Sequence, residues 1–416
     1  MKKVITILFA VVVMLAAFTG CKGNNISGKD NISSTDSVST TDSISSTDGA
    51  ATTDSISSTD GAATTNSASD TSSATDSQDQ GGSALTGSTD ANILDGGYVT
   101  QAGSKIYIGT DGYLLSSDIN GNTQKTSLSD SSGSYSPKNL IINNNTIYFM
   151  DEKTYKIMKM GLDGKNIQAV TGAMDSTPGE LIKFYIANGY IYYLADVDGY
   201  VCDLSRVGLD STESNMTGQQ NILQNIHDAV VDPDSGRIFY APAGSDNYSR
   251  SVNSCDLDGN DVKILVPGQQ GNNYLKIMEQ SWGEIMICGD RVIYTYFTTA
   301  QNAGENDLIS MNKDGSDPKT LLTNFAGAGG PFGTVINDTI YCNISAPGTN
   351  ALPLNLYAVK ADGSADPTLI TGKYGDAVND TSINYIESAG GKLLLSVQGT
   401  GWVMMDTDGS NEKNLQ

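Results

Sequence analysis

The sequence has few basic residues, and this scarcity excludes several classes of partner. Its 416 residues include 24 Lys and Arg against 47 Asp and Glu, which gives a net charge of −23 at pH 7. Binding of a nucleic-acid backbone depends on clustered Lys and Arg, so this balance argues against a nucleic-acid partner. It also argues against electrostatic docking on anionic lipid.

Histidine is almost absent. His227 is the single histidine of the chain, and it lies between two units of the repeat described below, where we expect an exposed loop. A Ser–His or Cys–His mechanism would depend on this residue, and no nucleophile-elbow motif is present. We therefore predict no catalytic residue of this kind. Carboxylate-only chemistry stays open, because a sequence does not show which two acids face each other.

Cysteines are few and are not paired in sequence. Beyond Cys21 the chain has four, which fall in different repeat units at non-equivalent positions, without a Cys-x-x-Cys pair. This spacing argues against a metal cluster. We expect small buried apolar side chains, with one disulfide as the alternative, and neither a metal nor another cofactor. The four residues are Cys202, Cys255, Cys288 and Cys342.

The N-terminus carries a long apolar run. Lys2 and Lys3 precede an almost wholly apolar stretch at residues 4–17, and Phe18-Thr19-Gly20-Cys21 follows. The run is short for a membrane-spanning helix and has the layout of a secretory signal. It resembles the lipobox of bacterial lipoproteins, which implies a signal peptide at residues 1–20 and a lipid attached to Cys21. An ordinary signal peptide with a chance cysteine is the alternative.

A polar spacer separates this segment from the rest. Residues 24–91 are rich in Ser, Thr, Asp, Ala and Gly and contain no aromatic residue, and residues 41–52 recur unchanged as 53–64. Such a segment buries too little apolar surface to offset the entropy of ordering. We predict a disordered tether at residues 21–91 that holds a folded domain away from the membrane, on the extracytoplasmic side.

From residue 92 to 416 one pattern recurs seven times. A β-branched and aromatic run is followed by a second apolar run that ends at an Asp-Gly type of turn. Both runs favour strands, and Asp-Gly favours a hairpin because the turn requires a positive φ. The centres of the runs are Ile106-Tyr107, Ile147-Tyr148, Ile191-Tyr192, Ile238-Phe239, Ile293-Tyr294, Ile340-Tyr341 and Leu393-Leu394.

With a strand before and a strand after, each unit has four strands. Units of about 45–55 residues built from strands are typical of a β-propeller. We therefore predict an all-β fold, a β-propeller of four-stranded antiparallel blades, with seven blades favoured and six as the alternative.

One unit carries a more specific resemblance. It runs from Thr146-Ile147-Tyr148-Phe149 to Leu162-Asp163-Gly164. This repeat resembles that of the DUF5050-type bacterial extracytoplasmic propellers, and it is similar to the propeller of low-density-lipoprotein-receptor-related proteins. The family's propellers are usually six-bladed. The resemblance implies the fold and carries no catalytic residue.

These observations favour a membrane-anchored, non-catalytic binding or scaffold lipoprotein. A carbohydrate-active lyase or hydrolase on a propeller scaffold is the alternative, so whether the chain is an enzyme stays open. We expect its partners to be the membrane, through the lipid, and a cell-envelope glycan, a peptide or another envelope protein.

Long insertions at residues 241–250, 267–274, 297–307 and 344–355 are predicted to crowd one face, and loops on a rigid scaffold are where function concentrates. The expected ligand is neutral or cationic. The predicted binding residues are Tyr248, Arg250, Tyr274, Trp282 and Glu305.

Overall fold

The described chain is built almost wholly of antiparallel strands. The computed structural model describes residues 90–131, 133–172, 181–197, 201–244, 251–267, 273–274, 285–298, 306–325, 333–349, 353–374 and 382–415. Within these ranges it contains one short helix and thirty strands. The prediction of an all-β fold with four-stranded antiparallel sheets is confirmed. No helix in these ranges has the length and apolarity needed to cross a membrane.

The first sheet follows the helix directly. Its four strands pair in chain order, from β1 to β4, and a small two-stranded ribbon, β5 with β6, comes after it. The elements are α1 (Asp90–Leu94), β1 (Val99–Ala102), β2 (Lys105–Thr110), β3 (Tyr113–Ser117), β4 (Thr123–Ser127), β5 (Ser129–Asp130) and β6 (Gly133–Ser134).

The next sheet has four strands and the one after it has seven. Their strands are β7 (Pro137–Asn143), β8 (Thr146–Asp151), β9 (Lys156–Gly161) and β10 (Gln168–Ala169), then β11 (Leu181–Ala187), β12 (Tyr190–Asp196), β13 (Cys202–Gly208), β14 (Gln220–Asp232), β15 (Arg237–Pro242), β16 (Val252–Asp256) and β17 (Lys263–Val266). The long strand β14 joins two four-stranded units, because its first half pairs with β13 and its second half pairs with β15.

Three more sheets complete the described chain. In the first of them β18 and β19 both pair with β20, and the other two are regular four-stranded meanders. Their strands are β18 (Asn273–Tyr274), β19 (Ile285–Cys288), β20 (Arg291–Thr298), β21 (Asn306–Asn312) and β22 (Lys319–Phe325), then β23 (Gly333–Ile336), β24 (Thr339–Ile344), β25 (Asn355–Lys360) and β26 (Thr368–Thr371), and finally β27 (Ile383–Ala389), β28 (Lys392–Val397), β29 (Gly401–Met405) and β30 (Lys413–Leu415).

The recurring Ile-Tyr pairs lie on the second strand of each unit, where both faces of the sheet are covered. Ile106 and Tyr107, for example, are both buried in β2, and Leu393 and Leu394 are buried in β28. A strand that is buried on both faces has an apolar residue at every position instead of alternating. This burial on both faces explains why the second strand of each unit has consecutive apolar residues at its centre.

The Asp-Gly turns are stabilised by their own side chains. Asp256 Oδ1 accepts the backbone N–H groups of Asp258 and Asn260, and Gly259 takes a φ of 83°. Aspartate fits such turns because its carboxylate can accept hydrogen bonds from the backbone two residues on. Turn geometry therefore accounts for these carboxylates without a metal ion.

Helix α1 is surrounded by the first strands of the units. It packs against β7, β11, β14, β19, β23 and β27, and β27 also packs against β1. Asn92, which is fully buried, donates from Nδ2 to the carbonyl of Ser388 at 2.8 Å and accepts at Oδ1 from the hydroxyl of Thr334 at 2.8 Å. Ile93 and Leu94 pack into two different apolar clusters. The start of the domain is thus anchored among strands from its end.

Two expectations, for His227 and for the four cysteines, meet the structure at single residues. His227 is buried within β14, at 3% exposure, so the expectation of an exposed loop histidine is wrong. His227 lies where the half of β14 that pairs with β13 meets the half that pairs with β15. The repeat pattern assigned this position to neither of the two neighbouring units. Trp402 is buried in β29. The four cysteines beyond Cys21 are buried and free, and burial raises the pKa of the Cys255 thiol to about 12.

Candidate functional site

Most of the residues predicted to bind a ligand lie outside the described ranges. These are Tyr248, Arg250, Trp282 and Glu305, and the predicted lipid site Cys21 lies outside them as well. Tyr274 is in β18, and its backbone is paired with that of Phe297 in β20. This pairing brings two of the four predicted insertions, 267–274 and 297–307, side by side. The described chain has a different group of buried polar side chains, which lies around α1.

Glu387 is the most deeply buried acid in this region. It lies on β27 with no exposed surface. Its Oε1 accepts the backbone N–H of Tyr98 at 2.7 Å, and its Oε2 accepts that of Val99 at 2.5 Å. Burial, followed by the nearby carboxyl of Asp95, raises the pKa of Glu387 well above its ordinary value. Desolvation disfavours the charged form of an acid, and a second acid adds to this effect.

Asp95 follows α1 and faces the same strand. Its Oδ2 accepts the backbone N–H of Ile386. Although part of the residue reaches solvent, desolvation of the carboxyl raises the pKa of Asp95 to about 8, and the hydrogen bond from Ile386 opposes this only in part. An acid with this pKa is largely protonated at neutral pH. Asp95 is therefore a proton donor next to a second acid that resists ionisation.

Tyr98 connects this pair to a third carboxylate. Its phenol donates to Oε1 of Glu152 at 3.0 Å and lies 3.5 Å from the hydroxyl of Tyr385, with the two rings 4.6 Å apart. Burial, followed by the hydrogen bond with Tyr385, raises the pKa of Tyr98 above its ordinary value. Glu152 Oε1 also lies 3.4 Å from the ammonium of Lys138, and its Oε2 accepts the hydroxyl of Ser136 at 3.0 Å.

A pocket of about 150 Å³ opens between α1, β7 and β11. Aliphatic side chains from α1 and β11 form part of its wall. Its polar groups come from Lys138, Asn139 and Lys183. Gly96, the neighbour of Asp95, also lines the pocket. We call the group formed by Asp95, Tyr98, Glu152, Tyr385 and Glu387 the axial cluster. Its members are not among the residues that line the pocket, and the link between the two runs through Gly96, next to Asp95, and through Lys138, which contacts Glu152.

The axial cluster brings together a carboxyl protonated at neutral pH, a second buried acid, a phenol and a carboxylate that is partly exposed. A proton donor and a proton acceptor beside a pocket are the elements of general acid–base catalysis. Among the described residues, no three His, Cys, Asp or Glu side chains come together as a metal-binding group.

The sequence reasoning missed the axial cluster. One signal was present, since Glu387 is a charged residue within a strand, Ile383–Ala389, that is otherwise uncharged. An acid in the interior of a buried strand is rare unless it has partners. Asp95, by contrast, stands in Asp95-Gly96-Gly97, which reads as an ordinary turn.

No family model and no curated protein matches the chain. The fold is similar to a puromycin-hydrolyzing peptidase of Mycobacterium tuberculosis, with a TM-score of 0.53 and 11% identity over 80% of this chain and 56% of that one. The fold is also similar to that of a puromycin hydrolase, with a TM-score of 0.55 and 11% identity over 79% of this chain and 55% of that one. For an oligogalacturonate lyase in complex with manganese the TM-score is 0.48 and the identity is 13%, over 72% of this chain and 85% of that one.

These neighbours are β-propeller-like proteins, and at such low identity the likeness shows the fold alone. The chain spans about 55% of the length of the two puromycin-hydrolyzing structures. The two puromycin-hydrolyzing neighbours are enzymes. This finding goes against the prediction of a non-catalytic binding or scaffold protein and favours the enzymatic alternative, which is taken up as a proposal below. The DUF5050-type resemblance stays a prediction.

Proposed function

We propose that the chain is a propeller enzyme that hydrolyses glycosidic bonds of a neutral carbohydrate. The observation that carries the proposal is the presence of an acid with a raised pKa, Asp95, and a partly exposed carboxylate, Glu152, near a pocket that their neighbours Gly96 and Lys138 line. Glycoside hydrolysis requires two such carboxyl groups, one as acid and one as base. The enzymatic neighbours add support for the reaction class, in that two of them hydrolyse their substrate.

In this proposal Asp95 donates its proton to the glycosidic oxygen as the bond from that oxygen to the anomeric carbon breaks. Glu152 accepts a proton from water, whose oxygen bonds to the anomeric carbon. Proton transfer through solvent then restores both acids, so one water is consumed for each bond. Tyr98 positions Glu152 through its 3.0 Å hydrogen bond, and Glu387 positions Tyr98 through the backbone.

Of the two carbohydrate-active enzymes considered, a lyase fits the charges at the pocket less well than a hydrolase. Elimination from a uronate requires that its carboxylate be neutralised, usually by cations that are free to bind it. Both ammonium groups at the pocket are already matched by a carboxylate, Lys138 by Glu152 and Lys183 by Asp228. Hydrolysis of a neutral sugar fits these charges better.

The proposed scaffold is a seven-bladed propeller. If β14 is divided between the two units that it joins, six of the seven units contribute a first strand that packs against α1, and the seventh, β1, packs against β27 and β7. We further propose that a lipid on Cys21 holds the domain at the outer side of the cytoplasmic membrane. Cys21→Ala should then move the protein from the membrane fraction to the soluble fraction, and an unchanged membrane fraction would contradict the anchor.

The test is an activity screen with the full-length chain. Neutral oligosaccharides of different linkages are incubated with the protein and the reducing ends are measured, with peptide substrates in parallel. In Asp95→Asn and Glu152→Gln we expect turnover to fall by about 100-fold or more, in line with the loss of a general acid or base. Glu213→Gln is the matched control, because Glu213 is a carboxylate of an exposed ion pair with Lys156.

Peptide cleavage without any glycan cleavage would show that the substrate class is wrong. Turnover that survives in both Asp95→Asn and Glu152→Gln would show that the axial cluster is not the catalytic site. Melting temperatures of the variants, measured in the same buffer, separate a loss of chemistry from a loss of folding.

A further inference from the structure

Two acids cross the contact between the first and last sheets of the described chain, in opposite directions. Strands β1 and β27 pack side by side, although they belong to separate sheets. Glu387 on β27 accepts the backbone N–H groups of Tyr98 and Val99, and Asp95, which precedes β1, accepts that of Ile386 on β27. We call this contact the terminal junction. Each of its sides therefore offers a carboxyl group to the backbone of the other.

The contact between β14 and β19, which we call the inner junction, uses a similar bond with a different charge balance. Asp228 on β14 accepts the backbone N–H of Ile285, the first residue of β19, at 3.1 Å, and so joins two successive sheets. The other oxygen of Asp228 lies 2.5 Å from the ammonium of Lys183. A cation therefore compensates the carboxylate that crosses the inner junction.

Within the described ranges, no cation pairs with either acid of the terminal junction. The lysines on the strands that pack against α1 or β27 are each paired with another carboxylate, and these pairs are Lys138 with Glu152, Lys183 with Asp228 and Lys392 with Asp406. The phenols and thiols on or next to these strands are Tyr98, Tyr185, Tyr341, Tyr385, Cys288 and Cys342. Strand β14 adds His227, Asp228 and Asp232, and Asp232 is paired with Lys313. Ionisation of Asp95 or Glu387 therefore puts a negative charge at the terminal junction that no described cation neutralises.

The two acids fit the terminal junction in their protonated form. Desolvation raises the pKa of Asp95 from 3.8 to about 8, and desolvation together with the nearby carboxyl of Asp95 raises the pKa of Glu387 well above its ordinary value. In an opened junction both carboxyls would meet water and ionise near their ordinary values. The closed junction therefore binds more protons than the opened one between about pH 4 and pH 8, and a rising pH favours opening across this range.

We infer that the terminal junction is a pH-sensitive latch, which is closed at acidic pH and opens locally as the pH rises, while the inner junction stays closed. The latch crosses the axial cluster, because Asp95 and Tyr98 lie on one side of it and Tyr385 and Glu387 lie on the other. Opening separates these two halves, so the latch regulates the axial cluster. The inference concerns the contact itself and does not depend on the proposed reaction.

The test is hydrogen exchange of the full-length chain, followed by mass spectrometry at single-amide resolution from about pH 5 to about pH 8. Each rate is divided by the intrinsic rate at the same pH, which gives the opening equilibrium. The amides of Tyr98 and Val99 report on the terminal junction, and that of Ile285 reports on the inner one. Opening at Tyr98 and Val99 should increase by about ten-fold per pH unit for each proton released. Low urea should not change it, because local opening exposes little surface.

At Ile285 we expect slower exchange, which urea accelerates. Asp95→Asn keeps an oxygen for the N–H of Ile386 and removes the titration of Asp95, so the pH dependence at Tyr98 and Val99 should become flatter. Asp314→Asn is the matched control, because it removes an exposed turn carboxylate and should leave that pH dependence unchanged.

Three results would each overturn the inference. Exchange at Tyr98 and Val99 could be independent of pH, could follow urea as steeply as exchange at Ile285, or could keep its full pH dependence in Asp95→Asn. The first two are measured on the wild-type chain, so they decide the question even where the variant does not fold.

Discussion

The carboxylate of Glu387 accepts a hydrogen bond from the backbone N–H of Val99, a residue 288 positions earlier in the chain. The bond joins the last sheet of the described chain to the first strand of the first sheet. The same carboxylate holds the N–H of Tyr98. One side chain thus links the first and last sheets of the described chain and holds the backbone of Tyr98, whose phenol contacts Glu152.

Glu387→Gln should lower the stability of the domain. Its amide group would place an N–H₂ opposite one of the two backbone N–H groups and leave that donor without an acceptor, at a cost of about 1–3 kcal/mol. Urea unfolding of both proteins measures this difference. Glu412→Gln, which removes an exposed carboxylate paired with Lys373, should cost at most about 1 kcal/mol. Equal losses in the two variants would show that the two backbone hydrogen bonds of Glu387 contribute no more to stability than the exposed ion pair of Glu412.

Asp95 should make the domain less stable as the pH rises from about 4 to about 8. Its carboxyl ionises near pH 3.8 when the chain is unfolded and near pH 8 when it is folded, so the folded state binds more protons between these values. Stability falls with pH where the folded state is the more protonated. Melting temperatures of the wild type and of Asp95→Asn across this window test the effect, and the decline should be smaller in the variant.

Asp314→Asn is the control for that experiment. Hydrogen bonds from Ser316 lower the pKa of Asp314, so its contribution is lost only as the pH falls through the acid range below the window. The pH slope between 4 and 8 should therefore match that of the wild type. A parallel slope for Asp95→Asn would refute the raised pKa of Asp95.

Lys183 and Asp228 form a buried ion pair that ties three units together. Both are 2% exposed, and Asp228 Oδ2 also accepts the N–H of Ile285 on β19 at 3.1 Å. Lys183→Met leaves a buried charge without its partner, which should cost about 3–5 kcal/mol. Denaturant unfolding of Lys183→Met should show this loss, whereas Lys156→Met at the exposed pair with Glu213 should cost about 0–1 kcal/mol. Similar losses at both lysines would contradict the distinction.

Helix α1 should be part of the folding unit, whereas the chain before it should not. A chain that begins at Asp90 keeps Asn92 and its hydrogen bonds to Ser388 and Thr334, and it should unfold cooperatively at nearly the temperature of the full chain. A chain that begins at Val99 loses these bonds and the buried Ile93 and Leu94, and it should melt at a lower temperature or fail to fold. Calorimetry compares the two, and equal melting would show that α1 is dispensable.

The strands of this protein were predictable because their signals are local. The Ile-Tyr runs and the Asp-Gly turns depend on β propensity and on a positive φ, both of which a few neighbouring residues determine. Tyr148 in β8 and Gly164 in the turn after β9 are where the pattern places them. The same logic failed at His227, because the repeat left its segment unassigned whereas pairing with two neighbouring strands extended β14 through it.

The sequence by itself determined the class of fold, the repeating unit and the acidic balance of the chain, since each is a sum or a period of nearby residues. Only the tertiary structure brought Asp95 and Tyr98 to Glu387 and paired Lys183 with Asp228. These contacts join residues far apart in the chain, and the pKa of Asp95 depends on the desolvation that this packing produces. Long-range packing creates both the site and its electrostatics, and no local pattern encodes it.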